Sequence, residues 1–116
     1  MKKVVNAKEF TLNLQDESVI QKFSPFDDIC KSKILAYMKS GEITGENGSF
    51  FIDKLTMKEI EHSPFYYTDG EYEWSSEEIY YVEKYNMVLN DDFLLKIGID
   101  GKEKLRQRKR YSDNYK

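Results

Sequence analysis

The chain has 116 residues, 40% hydrophobic, 15% aromatic and 34% charged. That is material for one domain with one small core, because domains mostly run about 100 to 150 residues; a disordered chain would carry fewer aromatics, and a membrane span would need about 18 consecutive apolar residues, where the apolar stretches here are short. The net charge of −3 conceals a split: residues 102–116 hold seven cations against two anions, a net +5 that includes all three arginines, while the other 101 residues hold 11 against 19, a net −8.

The first residues, Met1-Lys2-Lys3-Val4-Val5-Asn6, begin like a secretory leader. The apolar region of about 7 to 15 residues that a leader needs does not follow. A cytoplasmic address and no membrane partner are therefore expected. Neither end shows a lipidation or retention signal. Phe10, Leu12 and Leu14 alternate with a period of two, which predicts a short or edge strand, although Val19, Ile20 and Phe23 could extend a helical pattern instead.

The first complete helix signal begins at Ser24. Ser24 is the N-cap, Pro25 takes the first helical position, and Asp27 and Asp28 sit in the first turn, where anions suit the helix dipole. Phe26, Ile29, Cys30, Ile34, Tyr37 and Met38 then trace one helix face, and Gly41 supplies the stop after Ser40. Cys30 is on this stripe and reads as a small core residue. As a single cysteine it has no partner for an internal disulfide.

Gly41 to Gly48 is rich in glycine and polar residues and reads as a loop, and Ser49-Phe50-Phe51-Ile52-Asp53 as a short strand. Thr56 to His62 fits neither period. Phe65-Tyr66-Tyr67, a Thr68-Asp69-Gly70 turn and Glu71-Tyr72-Glu73-Trp74 make a hairpin, with Tyr72 and Trp74 on one face and Glu71 and Glu73 on the other. A second helix starts at a capping box, Ser75 with Glu78, flanked by Trp74 and Ile79 at the hydrophobic-staple positions, and runs to about Asn86. A third, short helix is capped by Asn90, carries Asp91 and Asp92 in its first turn, presents Phe93, Leu94 and Ile97, and ends at Gly98. Strands and helices do not alternate regularly, so the predicted fold class is α+β: a small, mostly antiparallel sheet against two or three helices in a single domain over residues 1–101, followed by a basic tail over 102–116.

Little here points to catalysis. One histidine, His62, and one cysteine leave a single Cys–His pairing, and the metal sites that gather several Cys and His at short spacing are out of reach. Glu42, Glu46 and Asp53 lack the calcium-loop pattern. Neither a P-loop nor a dinucleotide-binding glycine motif occurs. The Asp27/Asp28 and Asp91/Asp92 pairs read as first-turn charges rather than a two-carboxylate hydrolase. The expectation is a protein that is not an enzyme and uses no cofactor.

The dense feature is residues 65–85, with eight aromatics and six acids. Part of that set must form core, but tyrosine interleaved with carboxylates suits a cationic protein surface and repels phosphates. The candidate partner contacts are Asp69, Glu71, Glu73, Glu77 and Glu83, with Tyr66 and Tyr72 as anchors. The competing candidate is the tail: Arg106, Arg108, Lys109 and Arg110 could bind nucleic acid.

The run Tyr67-Thr68-Asp69-Gly70-Glu71-Tyr72-Glu73-Trp74, continuing through Ile79-Tyr80-Tyr81-Val82-Glu83-Lys84-Tyr85 to Leu89 and Phe93, resembles a module of small bacterial immunity proteins that accompany polymorphic or contact-dependent inhibition toxins. Those proteins often have proline where this chain has Asn90 and histidine where it has Tyr80 or Tyr85. The resemblance implies binding and neutralisation of a cognate toxin and brings no catalytic residues. If that toxin is a nuclease, an acidic, tyrosine-rich surface would occlude its cationic cleft. The alternative expectation is a nucleic-acid-associated regulator working through the tail.

Overall fold

Residues 65–75 organise the molecule. In the computed structural model, which describes residues 1–24, 30–46, 48, 50–61 and 63–99, Phe65–Thr68 (β5) and Tyr72–Ser75 (β6) form an antiparallel hairpin with Tyr67 opposite Trp74 and Thr68 opposite Glu73. Gly70 turns at φ +97°, a conformation that costs glycine little. The Asp69 carboxylate accepts the N–H groups of Glu71 and Tyr72 at 2.9 and 2.8 Å and fastens the turn. On one side Lys2–Lys3 (β1) pairs parallel with β6; on the other Glu42–Glu46 (β2) pairs antiparallel with β5. The order is β1-β6-β5-β2. A separate ribbon pairs Phe51–Ile52 (β3) with Glu59–Ile60 (β4). The fold is α+β.

Several local expectations fail. Residues 10–14 are not a strand: Lys8–Thr11 form a short helix (α1), closed by Leu12 at φ +61°. The Glu9 side chain folds this segment onto the next, accepting from the Ser18 hydroxyl at 2.7 Å and the Val19 N–H at 2.8 Å. The alternation was not a burial pattern, since Leu12 and Leu14 are among the most exposed apolar residues. A 3₁₀ turn over Val19–Lys22 follows. Nor is 41–48 all loop. β2 forms because β-branched Ile43 and Thr44 have β5 to pair with, and an irregularity between Ile43 and Gly45 sets Gly45 opposite Tyr66.

The helix Lys31–Lys39 (α2) buries Ile34 and Met38, with Cys30 buried beside its start. The predicted beginning at Pro25, with Asp27 and Asp28, lies outside the described residues. Gly41 is not the helix stop; Ser40 caps α2, its N–H bonding Ala36 O. A Cβ at Gly41 would lie 2.7 Å from Trp74 Cζ2 and 3.2 Å from Tyr67 Cβ, so glycine is there to let the indole in.

Ser76–Tyr85 (α3) starts at the predicted capping box: Ser75 Oγ accepts from Glu78 N, and Glu78 Oε1 accepts from Ser75 N at 3.0 Å. Asn86 ends it at φ +56°. Asp91–Ile97 (α4) has Asn90 at the N-cap, but the Asn90 amide does not cap; it donates to Asn6 Oδ1 at 3.0 Å and to Lys3 O at 3.4 Å, tying α4 to β1. Gly98 closes α4 at φ +100°.

The core lies between the sheet and α2, α3 and α4. Trp74, 2% exposed, donates its indole N–H to Met38 O at 3.0 Å, stacks on Tyr67 at an interplanar angle of 7°, and meets Phe93 at 5.5 Å. Tyr81 is fully buried, with its hydroxyl on Ile52 O. No helix among the described residues is long and apolar enough to cross a membrane.

Candidate functional site

Six of the seven candidate contacts separate into two groups, and Glu83 stands apart from both. Asp69, Glu71 and Tyr72 belong to a network at the hairpin tip. Tyr37 donates its hydroxyl to Asp69 at 2.6 Å, and Lys96 lies 3.1 Å from Asp69 and 3.0 Å from Glu71. Lys2 also pairs with Glu71, at 3.1 Å. Burial opposes ionisation of Asp69, but the hydrogen bonds from Tyr37, from the two backbone N–H groups and from Lys96 outweigh it and hold the carboxyl well below its usual range. Lys96 and Lys2 do the same for the exposed Glu71. Tyr72 is 2% exposed, so its ring is core rather than a surface anchor; its hydroxyl donates to Asp92 at 2.7 Å, which pushes the phenol up to about 12. Glu83, on α3, pairs with Lys39 at 3.6 Å.

Tyr66, Glu73 and Glu77 come together elsewhere, around a cavity of about 420 Å³ that Trp74 and Ser75 of β6 also line. Strand alternation explains the placement. Glu73 and Ser75 flank Trp74 on β6 and so point oppositely to it; Tyr66 stands opposite Ser75, and Lys3 beside Glu73. The N-terminus of α3 brings Glu77 and Glu78, and α1 brings Glu9 and Phe10. The hairpin tip is thus neutralised by lysines, whereas four glutamates face this cavity against one lysine, Lys3, which lies 2.7 Å from Glu73.

The four carboxylates differ in state. Lys3 keeps the Glu73 carboxyl below its usual range. Burial would raise Glu9, but its bonds from Ser18 and Val19 prevail and lower it. Burial raises Glu77, with Lys54 offsetting and Glu9 adding to the effect. Glu77 has no hydrogen bond or ion pair among the described residues. Glu78, 4% exposed, is pushed up to about 8 by burial, against the pull of Lys3 and the bonds from Ser75. Its Oε1 serves the capping box; its Oε2 is buried with no hydrogen-bond partner. Tyr66 is 43% exposed, an aromatic edge at the cavity.

Sequence reasoning missed Glu9, Lys3 and the second role of Glu78. The capping box identified Glu78 as a helix-start residue, and a helix start on the surface would have left it in water. It also missed Asp53, which is fully buried and accepts the Tyr80 and Tyr85 hydroxyls at 2.6 Å each and the Leu55 and Thr56 N–H groups at 2.9 and 3.0 Å. Those bonds overcome the burial penalty and keep it ionised, locking the β3–β4 ribbon to α3. Among the described residues no three His, Cys, Asp or Glu side chains converge as metal ligands. His62 and the tail residues Arg106, Arg108, Lys109 and Arg110 lie outside the described residues. No protein-family model matches the chain, and no curated protein or solved structure matches it.

Proposed function

We propose that this chain is a cytoplasmic immunity protein, not an enzyme, that neutralises a cognate bacterial toxin by covering its cationic cleft. The observation that carries the reading is the clustering of uncommitted acceptors: Glu77, Glu78 Oε2 and the exposed Tyr66 share one cavity, while the other candidate acids, Asp69, Glu71, Glu73 and Glu83, are each paired with a lysine. Carboxylates without internal partners lose less on meeting a partner's lysines and arginines, and an aromatic beside them supplies contact area at small entropic cost. A nuclease cleft built to hold phosphates is the kind of surface such a face complements.

The test is co-expression with the toxin domain encoded beside the gene. Growth should be restored, and the purified pair should associate more slowly as salt rises. Glu77→Lys combined with Tyr66→Ala should abolish protection, while deletion of residues 104–116 should leave it intact. Tail-dependent binding to mixed RNA and DNA that falls steeply with salt, with no protection, would overturn the reading.

A further inference from the structure

We propose that the cavity between β6, α1 and the start of α3 takes the guanidinium of an arginine side chain on the protein partner, with Glu78 Oε2 as the buried acceptor at its wall. This rests on the reading that the chain binds a cationic protein, and it names the chemistry of the anchor. The argument starts from the orphaned oxygen. As a carboxylate, Glu78 would leave Oε2 buried without a donor, which is costly; in the empty protein a bound proton relieves that cost, and a donor brought from outside would replace the proton. Glu78 is otherwise in place: Oε1 is satisfied by Ser75 N and Oγ at 3.0 and 3.3 Å, so the side chain is held and only Oε2, buried just behind the cavity lining, lacks a partner.

The walls select the donor. Glu73 and Lys3 from the strands, Glu9 from α1, and Glu77 from α3 are the charged groups that line the cavity with Glu78, and their balance is anionic. A compact metal ion needs oxygens that converge, and no such group exists among the described residues. Spread acceptors suit a wide, planar cation with five N–H donors instead. Tyr66 and Phe10 line the same space, and guanidinium stacks on aromatic rings and sheds water more readily than ammonium does. Arginine is thus favoured over lysine.

Occupancy is linked to protons. Burial leaves Glu78 largely protonated at neutral pH in the unoccupied protein. An arriving guanidinium, charged throughout, favours the carboxylate, so the Glu78 proton passes to solvent as the ion pair forms. Binding should therefore strengthen as pH rises from about 6 to 8 and then level off.

The experiment is an NMR titration of the isotope-labelled full chain with the capped tripeptide acetyl-Gly-Arg-Gly-amide, following the Glu78 side-chain carboxyl and the Ser75 amide. Matched peptides with lysine, and with citrulline as the neutral counterpart of arginine, run in parallel. The arginine peptide should give saturable shifts and lower the Glu78 midpoint by about one pH unit, equivalent to about tenfold in affinity across the titration. Lysine should act more weakly and citrulline not at all. Glu78→Gln keeps a capping-box side chain at that position, so it should fold and bind without pH dependence; Glu77→Gln should weaken binding but keep the pH dependence. A Glu78 midpoint unmoved at high arginine peptide, or moved equally by citrulline, overturns the assignment. If the toxin domain is neutralised while the peptide leaves Glu78 unmoved, the anchor fails and the immunity reading stands. If the peptide binds as described and the toxin domain does not, the anchor stands and the immunity reading fails.

Discussion

Strand β6 shows opposite solutions on its two faces. Tyr72 and Trp74 meet α2 and α4, where each polar atom has a partner: the indole N–H has Met38 O, and the Tyr72 hydroxyl has Asp92. Glu73 and Ser75 meet a cavity instead, where Glu78 Oε2 has no partner and Glu77 has none among the described residues. Both faces are built within the same four residues, so the difference does not come from local propensity. It comes from what the rest of the chain lays over each side: full helices on one, the short α1 and the start of α3 on the other. A finished face holds the fold together, and an unfinished one is where a second molecule has free energy to gain.

The finished face should break hardest. Trp74→Ala removes a side chain that is 2% exposed and in contact with Phe93, Tyr67 and Met38, and should cost about 3 to 5 kcal/mol in denaturant unfolding. An unchanged midpoint with loss of partner binding would move the indole to the other side of the comparison.

The unfinished face should show itself through pH. The Glu78 carboxyl titrates near 4.5 when unfolded and near 8 when folded. Between those values the folded state holds the extra proton, so this group's contribution to stability falls as pH rises from about 4.5 to 8 and is constant above. Glu78→Gln removes that slope. The variant should match the parent near pH 4 and exceed it by several kcal/mol at pH 9, read from urea midpoints across the range. A parent curve that rises through this window relative to the variant would show Glu78 already paired.

Gly41→Ala probes how tightly the finished face is closed. The new methyl would meet Trp74 Cζ2 at 2.7 Å, with Tyr67 Cβ and Thr68 O at 3.2 and 3.3 Å behind it. Displacing an indole already fixed by its hydrogen bond should cost about 1 to 3 kcal/mol. Neutral behaviour would mean that the Trp74 pocket has slack.

The sequence exposed whatever was encoded within a few residues. The Asp69-Gly70 hairpin, the Ser75–Glu78 box, the placing of Tyr72 and Trp74 on one face and the span of α4 all rest on neighbours in the chain, and they stand as read; the burial of Tyr72, expected as an anchor, does not. What depended on distant partners was hidden. β2 needs β5, and α1 needs the reach of Glu9 to Val19 against the alternation of Phe10, Leu12 and Leu14. Asp53 is held by Tyr80 and Tyr85, 27 and 32 residues away. The same holds for the site. Glu73, Glu77 and Tyr66 were identifiable by composition, but their separation from Asp69, Glu71 and Tyr72 follows from where Lys2, Lys96 and Asp92 arrive in space. Glu9 was invisible as a site residue while its segment read as a strand.

Ser75 stands between the two faces and gives the smallest expected effect and the sharpest discrimination. Its hydroxyl accepts the Glu78 N–H at 3.4 Å and lies 3.3 Å from Glu78 Oε1, so it both caps α3 and supports the carboxyl at the cavity wall. As a cap alone, Ser75→Ala should cost about 1 kcal/mol at any pH. As a support for Glu78 it should also shift the titration, because its hydroxyl bond lowers the Glu78 midpoint and the loss of that bond should raise it further, while the backbone N–H bond remains. The two roles separate in a double-mutant cycle with Glu78→Gln at pH 5 and pH 9. A coupling confined to the cap stays the same at both values. A coupling to the cavity grows toward pH 9, where the carboxylate is ionised and the Ser75 N–H and hydroxyl are the donors it has. Equal coupling at both pH values would assign Ser75 to the helix alone.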